Sequence, residues 1–209
     1  QALLVEGERI TAVAPHAGWA AIRVGGVARG LPAGMVARLA ADPDVEATVP
    51  FVRRGVRAAD DDALLDLVGL DLLDADGLHR LGGSGGPEVV LAGDPLLVLA
   101  DPDAVLVTDA LAVRRGLDPG ARLAIRTPTG VRTLTVHGIL RRSGDVLGAT
   151  SMVMDLQAAQ TVFGCRGCLD GVDLVLRDGV DPVAAAERLG RMVAPAVLVD
   201  ARGAGAAVV

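Results

Sequence analysis

Apolar residues recur at two different spacings along the chain, and the changes from one to the other mark out its elements. Leu3-Leu4-Val5 and Ile10-Thr11-Ala12-Val13 flank Glu6-Gly7 and read as a short hairpin or an entry segment. Trp19 to Val24 predicts a strand. Behind Pro32, a residue suited to a first helical turn, Met35, Val36, Leu39 and Ala40 repeat at helical spacing. Asp42-Pro43 stops that helix, because the residue before a proline avoids the α region. Val45, Ala47, Val49 and Phe51 then alternate with polar or small residues, so a strand follows.

Asp60-Asp61-Asp62 is an acidic loop, Leu64 to Leu70 an apolar strand, and Asp74 to Leu81 a short helix. Gly82-Gly83-Ser84-Gly85-Gly86-Pro87 is the best internal boundary by composition. Short strands are expected at Val89 to Leu91, Leu96 to Leu99 and Val105 to Val107. Thr108 or Asp109 caps a helix of one to two turns ending at Arg115. Gly116 to Gly120 provides a tight reversal into the strand Arg122 to Thr127, where positive φ is needed. Pro128-Thr129-Gly130 closes a hairpin, and the returning strand carries Leu134 and Val136 on one face and Thr133, Thr135 and His137 on the other. Gly138 within that strand predicts a bulge.

The last third reads as strand Thr150 to Met154, helix Asp155 to Val162, strand Val172 to Leu176, helix Pro182 to Val193 and strand Val197 to Asp200. Leu156, Ala159 and Val162 face inward on the first of these helices, with Gln157 and Gln160 outward. Asp181-Pro182 starts the second, whose apolar stripe is Val183, Ala186, Leu189 and Val193. The expected fold class is α+β: a strand-helix-strand lobe made by both ends of the chain, interrupted by a smaller β-rich lobe. The boundaries this implies are 1–81 with 149–209 for the discontinuous lobe, 87–148 for the insert and 82–86 for a glycine-rich linker.

Composition narrows the function classes. Half of the 209 residues are hydrophobic, yet Trp19, Phe51 and Phe163 are the only aromatics, so the core is aliphatic and stacking platforms are few. That, with a net charge of −6, argues against nucleic acid as a partner. All 20 basic residues are arginine, a bias expected of a GC-rich coding sequence. No run of about 18 to 20 apolar residues and no leader pattern is visible. The first residue is Gln1 and the last six are small and apolar, which reads as a segment of a longer protein.

Candidate chemistry is sparse. His16, His79 and His137 are scattered without a second ligand at metal spacing, and His137 lies on the hydroxyl-bearing, solvated face of its strand. Asp71, Asp74 and Asp76 before Gly77 resemble part of a calcium loop but lack the bidentate Glu, so a helix cap is expected instead. The glycine cluster lacks the Gly-Lys-Ser/Thr of a phosphate loop, and none of Ser84, Ser143 and Ser151 sits in a nucleophile elbow. No catalytic residue, metal ligand or cofactor is therefore assigned. Cys165-Arg166-Gly167-Cys168 is the one suggestive motif. It follows a helix rather than opening one, so it lacks the dipole that activates a redox thiol. A small loop disulfide or two incidental thiols fit that placement better.

The run from Val105 to Gln160 carries more specific information. Val105-Leu106-Val107-Thr108 and Ala110-Leu111-Ala112 precede Arg115-Gly116-Leu117-Asp118-Pro119-Gly120. A strand pair ending Leu134-Thr135-Val136-His137-Gly138-Ile139-Leu140 follows, then Ser151-Met152-Val153-Met154-Asp155-Leu156-Gln157-Ala158-Ala159-Gln160. This resembles the extracytoplasmic core domain of ABC-transporter permeases of the MacB/FtsX/LolC-LolE type. Leu39 to Pro50, Asp173 to Leu176 and Asp181 to Leu189 agree with the same pattern. The turn departs from it, ending Pro119-Gly120-Ala121 without the family's acidic residue, and Arg122 opens the next strand.

The resemblance implies a domain between the first two membrane helices of a permease, on the outer face of the cell membrane. It implies a mechanical arm with no catalytic residue of its own, ATP being hydrolysed by a separate cytosolic subunit. The implied partners are the membrane-spanning helices of the same permease, that ATPase, a second permease copy or homologue, and an unidentified cargo or outer partner. Arg141, Arg142, Ser143 and Asp145 form the candidate partner-facing loop, a solvated connector being the plain alternative. Two other classes stand beside this one: a stand-alone β-barrel-like binding module, suggested by Gly116 to Gly130, and a thiol oxidoreductase using Cys165.

Overall fold

The computed structural model describes residues 2–4, 11–13, 20–25, 30–31, 34–72, 88–91, 95–141 and 147–193. Within these the chain forms a mixed β architecture with helices, divided into two compact units: residues 1–51 with 168–209, and residues 52–167.

In the first unit, β1 (Ala2–Leu4) pairs antiparallel with β2 (Thr11–Val13) and parallel with β3 (Ala20–Gly25). Beyond β3 lies β11 (Gly171–Leu176), antiparallel over six registered pairs from Gly171↔Gly25 to Leu176↔Ala20. The other edge of β11 pairs antiparallel with the opening half of β4 (Val45–Ala58), with a bulge between Val175 and Leu176. Val172, Leu174 and Leu176 share one face by the two-residue period of a strand and are buried. Onto that face pack Met35 and Leu39 of α1 (Met35–Ala40) and Ala185, Ala186 and Leu189 of α5 (Pro182–Val193). Burial at 185, 186 and 189 corrects the expected stripe, since Val183 is 36% exposed. Proline at the first helical position leaves Val183 in the opening turn, a little off the face that meets the sheet.

The second unit is built around two strands buried on both faces. All five residues of β7 (Ala104–Thr108) are buried, as are the first four of β10 (Ser151–Asp155), which is the pattern of central strands. β10 lies parallel to β5 (Leu64–Leu70) and antiparallel to β7. β7 then runs parallel to β9 (Gly130–Arg141). β6 (Glu88–Leu91) covers the far edge of β9, and β8 (Arg122–Thr127) forms a hairpin with β9 while touching the end of β4 at Arg57↔Arg126 and Ala58↔Ile125. The described helices of this unit are α2 (Pro95–Ala100), α3 (Asp109–Arg115) and α4 (Leu156–Val162).

Several local expectations meet their cause here. The register of β7 against β9 jumps from Val105↔Val136 to Leu106↔Gly138, so His137 is the extra residue of a bulge. A Cβ on Gly138 would lie 2.8 Å from Leu91 Cδ2 and 2.9 Å from the Val90 carbonyl oxygen, so only glycine lets β6 approach there. Gly69 has the same role beneath α4, where a Cβ would collide with the Ala159 methyl and Val52. Gly116 and Gly120 take the positive φ values of 60° and 92° that the reversal demands.

One expectation is corrected. Residues 96–99 are not a strand but the body of α2. Asp94-Pro95 is the same start signal as Asp181-Pro182, and the four-residue apolar run hid the helical period. The two compact units divide at 51/52 and 167/168. β5 and β10 belong with the second unit because β10 is hydrogen-bonded to β5 on one side and β7 on the other. The segment that suggested a small barrel forms the turn after α3, β8 and its hairpin with β9, and β8 pairs with the end of β4 as well as with β9. The glycine-rich stretch 82–86, the helix expected at 74–81 and the strand expected at 197–200 lie outside the described residues.

Candidate functional site

Charged side chains in the second unit gather at three places, each held by the backbone pattern that brings them there. The first is the loop between β4 and β5. Asp62 sits at φ 60°, the one non-glycine residue with positive φ among those described. Its carboxylate accepts from Arg57 Nη1 at 3.2 Å and lies 3.7 Å from Arg126 Nε. Arg115, at the end of α3, donates to both Asp60 oxygens at 2.6 Å and to Asp61 at 2.9 Å. The Ala63 amide, then the Arg115 guanidinium, hold the Asp61 carboxyl below the usual carboxylate range. Burial works to lower the Arg115 value, but bonding to Asp61 and Asp60 outweighs it and the guanidinium is raised further. Asp60, Asp61 and Arg115 border an open depression of about 560 Å³ whose lining includes Arg114, Leu117 and Arg122.

At the second place, Asp101-Pro102-Asp103 turns α2 into β7. His137 Nε2 lies 3.1 Å from Asp101 Oδ2, and Arg132 pairs with Asp103. The His137 side chain is only 15% exposed. This corrects the solvated position expected for it: the residue keeps to the face of Thr133 and Thr135, but there its ring meets the Asp101 carboxylate. The third place is internal to the sheet. Arg53 donates to both oxygens of Asp66 at 3.2 and 3.0 Å, and the buried Ser151 hydroxyl donates to Asp66 at 2.9 Å. Thr108, at the N-terminus of α3, spends its hydroxyl on the Ser151 carbonyl at 3.3 Å instead of capping the helix.

Chemically, all three places are carboxylate–arginine or carboxylate–histidine clamps. Ser151 faces a carboxylate already held by Arg53, and among the described residues no histidine is hydrogen-bonded to it. Among the described residues no group of three or more His, Cys, Asp or Glu is placed to hold a metal ion. His16, His79, Asp74 and Asp76 lie outside the described residues, as do Arg142, Ser143 and Asp145 of the candidate loop. Arg141 is the exposed last residue of β9. Cys165 and Cys168 are both disulfide-bonded. Gln160, expected to face outward, is half-buried: its backbone carbonyl accepts from the Cys165 amide and its side chain from the Gly167 amide. The pairings His137–Asp101 and Arg115–Asp60/Asp61 span 36 and 54 or 55 residues, so no sequence spacing announces them.

The model of the MacB-like periplasmic core domain matches residues 2–192. The chain belongs to that family. It is thus the periplasmic core domain type found in MacB-like ABC-transporter permeases. No curated protein matches the chain significantly. Among solved structures, the chain is similar to the extracellular domain of the noncanonic ABC-type transporter YknZ from Gram-positive bacteria. That likeness has 13% identity and a TM-score of 0.57, covering 83% of this chain and 92% of that one. It is also similar to the periplasmic region of MacB from Actinobacillus actinomycetemcomitans, at 9% identity and a TM-score of 0.54, covering 82% and 81%. At these identities the likeness is one of fold. Among the described residues no helix of this periplasmic core domain is long and apolar enough to cross a membrane.

Proposed function

We propose that this chain is the outer arm of an ABC-transporter permease, coupling membrane-helix motion driven by a cytosolic ATPase to the handling of cargo or a protein partner outside the membrane. The match of the MacB-like periplasmic core domain across residues 2–192 carries the reading. The packing supports it. An arm that passes force must be stiff, and closely packed aliphatic interiors have low compressibility and transmit strain. The doubly buried β7 and β10 and the clamped turns at Asp60–Asp62 and Asp101–Asp103 are stiffening devices rather than reaction centres.

On this reading the partners are the membrane-spanning helices of the same permease, the ATPase subunit, and a second permease copy or homologue. The loop Arg141-Arg142-Ser143-Gly144-Asp145 is the partner-facing element, with two cations adjacent in its sequence. The full-length protein is expected to carry apolar spans of about 20 residues on either side of this chain. Their absence would remove the permease reading. Coupling itself is tested with Val113→Cys, at a site 85% exposed, carrying a solvent-sensitive fluorophore in the full permease with its ATPase. The emission should change between nucleotide-free and ATP-bound states. An identical signal in both, with ATP hydrolysis intact, would contradict coupling through this domain.

A further inference from the structure

The loop between α4 and β11 is closed covalently in a way that the proposed transport function does not use. The chain has two cysteines, and neither is free, so the bond joins Cys165 to Cys168. The loop is shaped for that closure. Gly164 and Gly167 take φ values of 67° and 72°, which glycine adopts without strain and which turn the chain back on itself on either side of Cys165-Arg166. Gln160 holds the same loop from the helix, its carbonyl 2.9 Å from the Cys165 nitrogen and its Oε1 3.2 Å from the Gly167 nitrogen. The end of a helix presents carbonyl oxygens, not the N–H groups that stabilise a thiolate in catalytic C-x-x-C pairs. The reduced pair therefore gains nothing from its surroundings, whereas the closed form matches the glycine turns and the Gln160 contacts.

We propose that Cys165–Cys168 is a structural latch on the end of α4, installed by a thiol–disulfide oxidant outside the membrane. One cysteine thiolate attacks the oxidant's disulfide and forms a mixed disulfide, releasing one oxidant thiolate. The second cysteine thiolate then displaces the other oxidant sulfur. Two electrons pass from the cysteine pair to the oxidant, which leaves as a dithiol carrying the two cysteine protons. The inference rests on the extracytoplasmic reading, because such bonds persist in oxidising compartments. Arg166 is exposed inside the four-residue ring, which supplies a direct readout.

The 209-residue chain is produced in an oxidising compartment, alkylated without reductant, and counted by intact mass. No alkylated thiol is expected, against two after dithiothreitol, and oxidised glutathione should return the reduced chain to zero as a monomer. Tryptic cutting after Arg166 should rise by about tenfold on reduction, as a loop closed to local opening is released. The Cys165→Ser/Cys168→Ser variant, shown by circular dichroism to keep its fold, should be cut at the reduced rate. Two alkylated thiols before reduction, disulfide-linked dimers on reoxidation, or equal cutting rates in all forms would overturn the latch. Free thiols in a chain flanked by membrane spans would overturn the latch alone. A closed bond in a chain with no flanking spans would instead count against the permease reading.

Discussion

Arg188 on α5 grips the Asp42 carboxylate at the turn between α1 and β4, 146 residues earlier in the chain, and reaches Asp44 with the same guanidinium. Asp42 also accepts from the Asp44 amide at 3.0 Å, and Arg177 donates to the Pro43 carbonyl at 2.9 Å. The α1–β4 turn is thereby fixed to the C-terminal part of its unit by hydrogen bonds rather than by apolar contact alone. The Arg188 guanidinium, against some opposition from burial, holds the Asp42 carboxyl below its usual range.

Arg188→Ala leaves Asp42, 8% exposed, without its cation. Because the Arg188 side chain is 38% exposed, solvent screening reduces the cost to about 1–2 kcal/mol rather than that of a fully buried pair. Chemical denaturation at neutral pH measures it. The depressed Asp42 value means that its stabilisation is present above the unfolded carboxyl value of about 3.9 and is lost as pH falls through the folded one. The gap between the parent and the variant should therefore narrow below about pH 4.

Gly69→Ala and Gly138→Ala should each cost about 1–3 kcal/mol, as overpacking does where neighbours cannot move. Val52 Cγ1 stands 2.9 Å from the Cβ position at 69, and the Val90 carbonyl oxygen 2.9 Å from that at 138. Gly116→Ala meets nothing within 4 Å and differs only in its φ of 60°. Its cost should be about 1 kcal/mol, from backbone conformation alone. Thermal melts of the three variants separate collision from backbone strain by that ordering.

Asp155→Ala removes the cap of α4, where one carboxylate oxygen accepts from the Gln157 and Ala158 amides at 2.9 and 3.2 Å. A loss of about 1 kcal/mol is expected, and Asp155→Asn should recover most of it, since asparagine is an equally good cap. Denaturation midpoints of the two variants check this.

Reducing the Cys165–Cys168 bond should lower the melting temperature by about 5 °C, because closing so short a loop contributes about 2 kcal/mol through the unfolded chain. Calorimetry with and without reductant, repeated on the double serine variant, reads the difference.

What the sequence shows of this fold follows the range of the interaction. Leu64 to Leu70 and Pro182 to Val193 are readable to the residue, because a mostly apolar run of strand length and an Asp-Pro start are local signals. Residues 96–99 are misread because a run of four apolar residues has no period. The unit boundary at 51/52 is hidden inside the single long strand β4, and that at 167/168 depends on β10 pairing with β5 some 85 positions away. The C-x-x-C motif is visible by spacing, whereas His137 with Asp101 and Arg188 with Asp42 exist only once the sheets bring them together. The family was legible in Val105 to Gln160 because its turns need particular glycines, and glycine is conspicuous in a sequence where aliphatic core residues are interchangeable.

The central claim, that this domain works on the outer face of a membrane permease, is tested most directly by where one side chain can be labelled. Val113→Cys in the full-length protein places a thiol at a position 85% exposed. Treated in intact spheroplasts with a membrane-impermeant maleimide, this cysteine should be labelled fully before lysis. Labelling that appears only after the membrane is opened would place the domain on the cytosolic side and contradict the account.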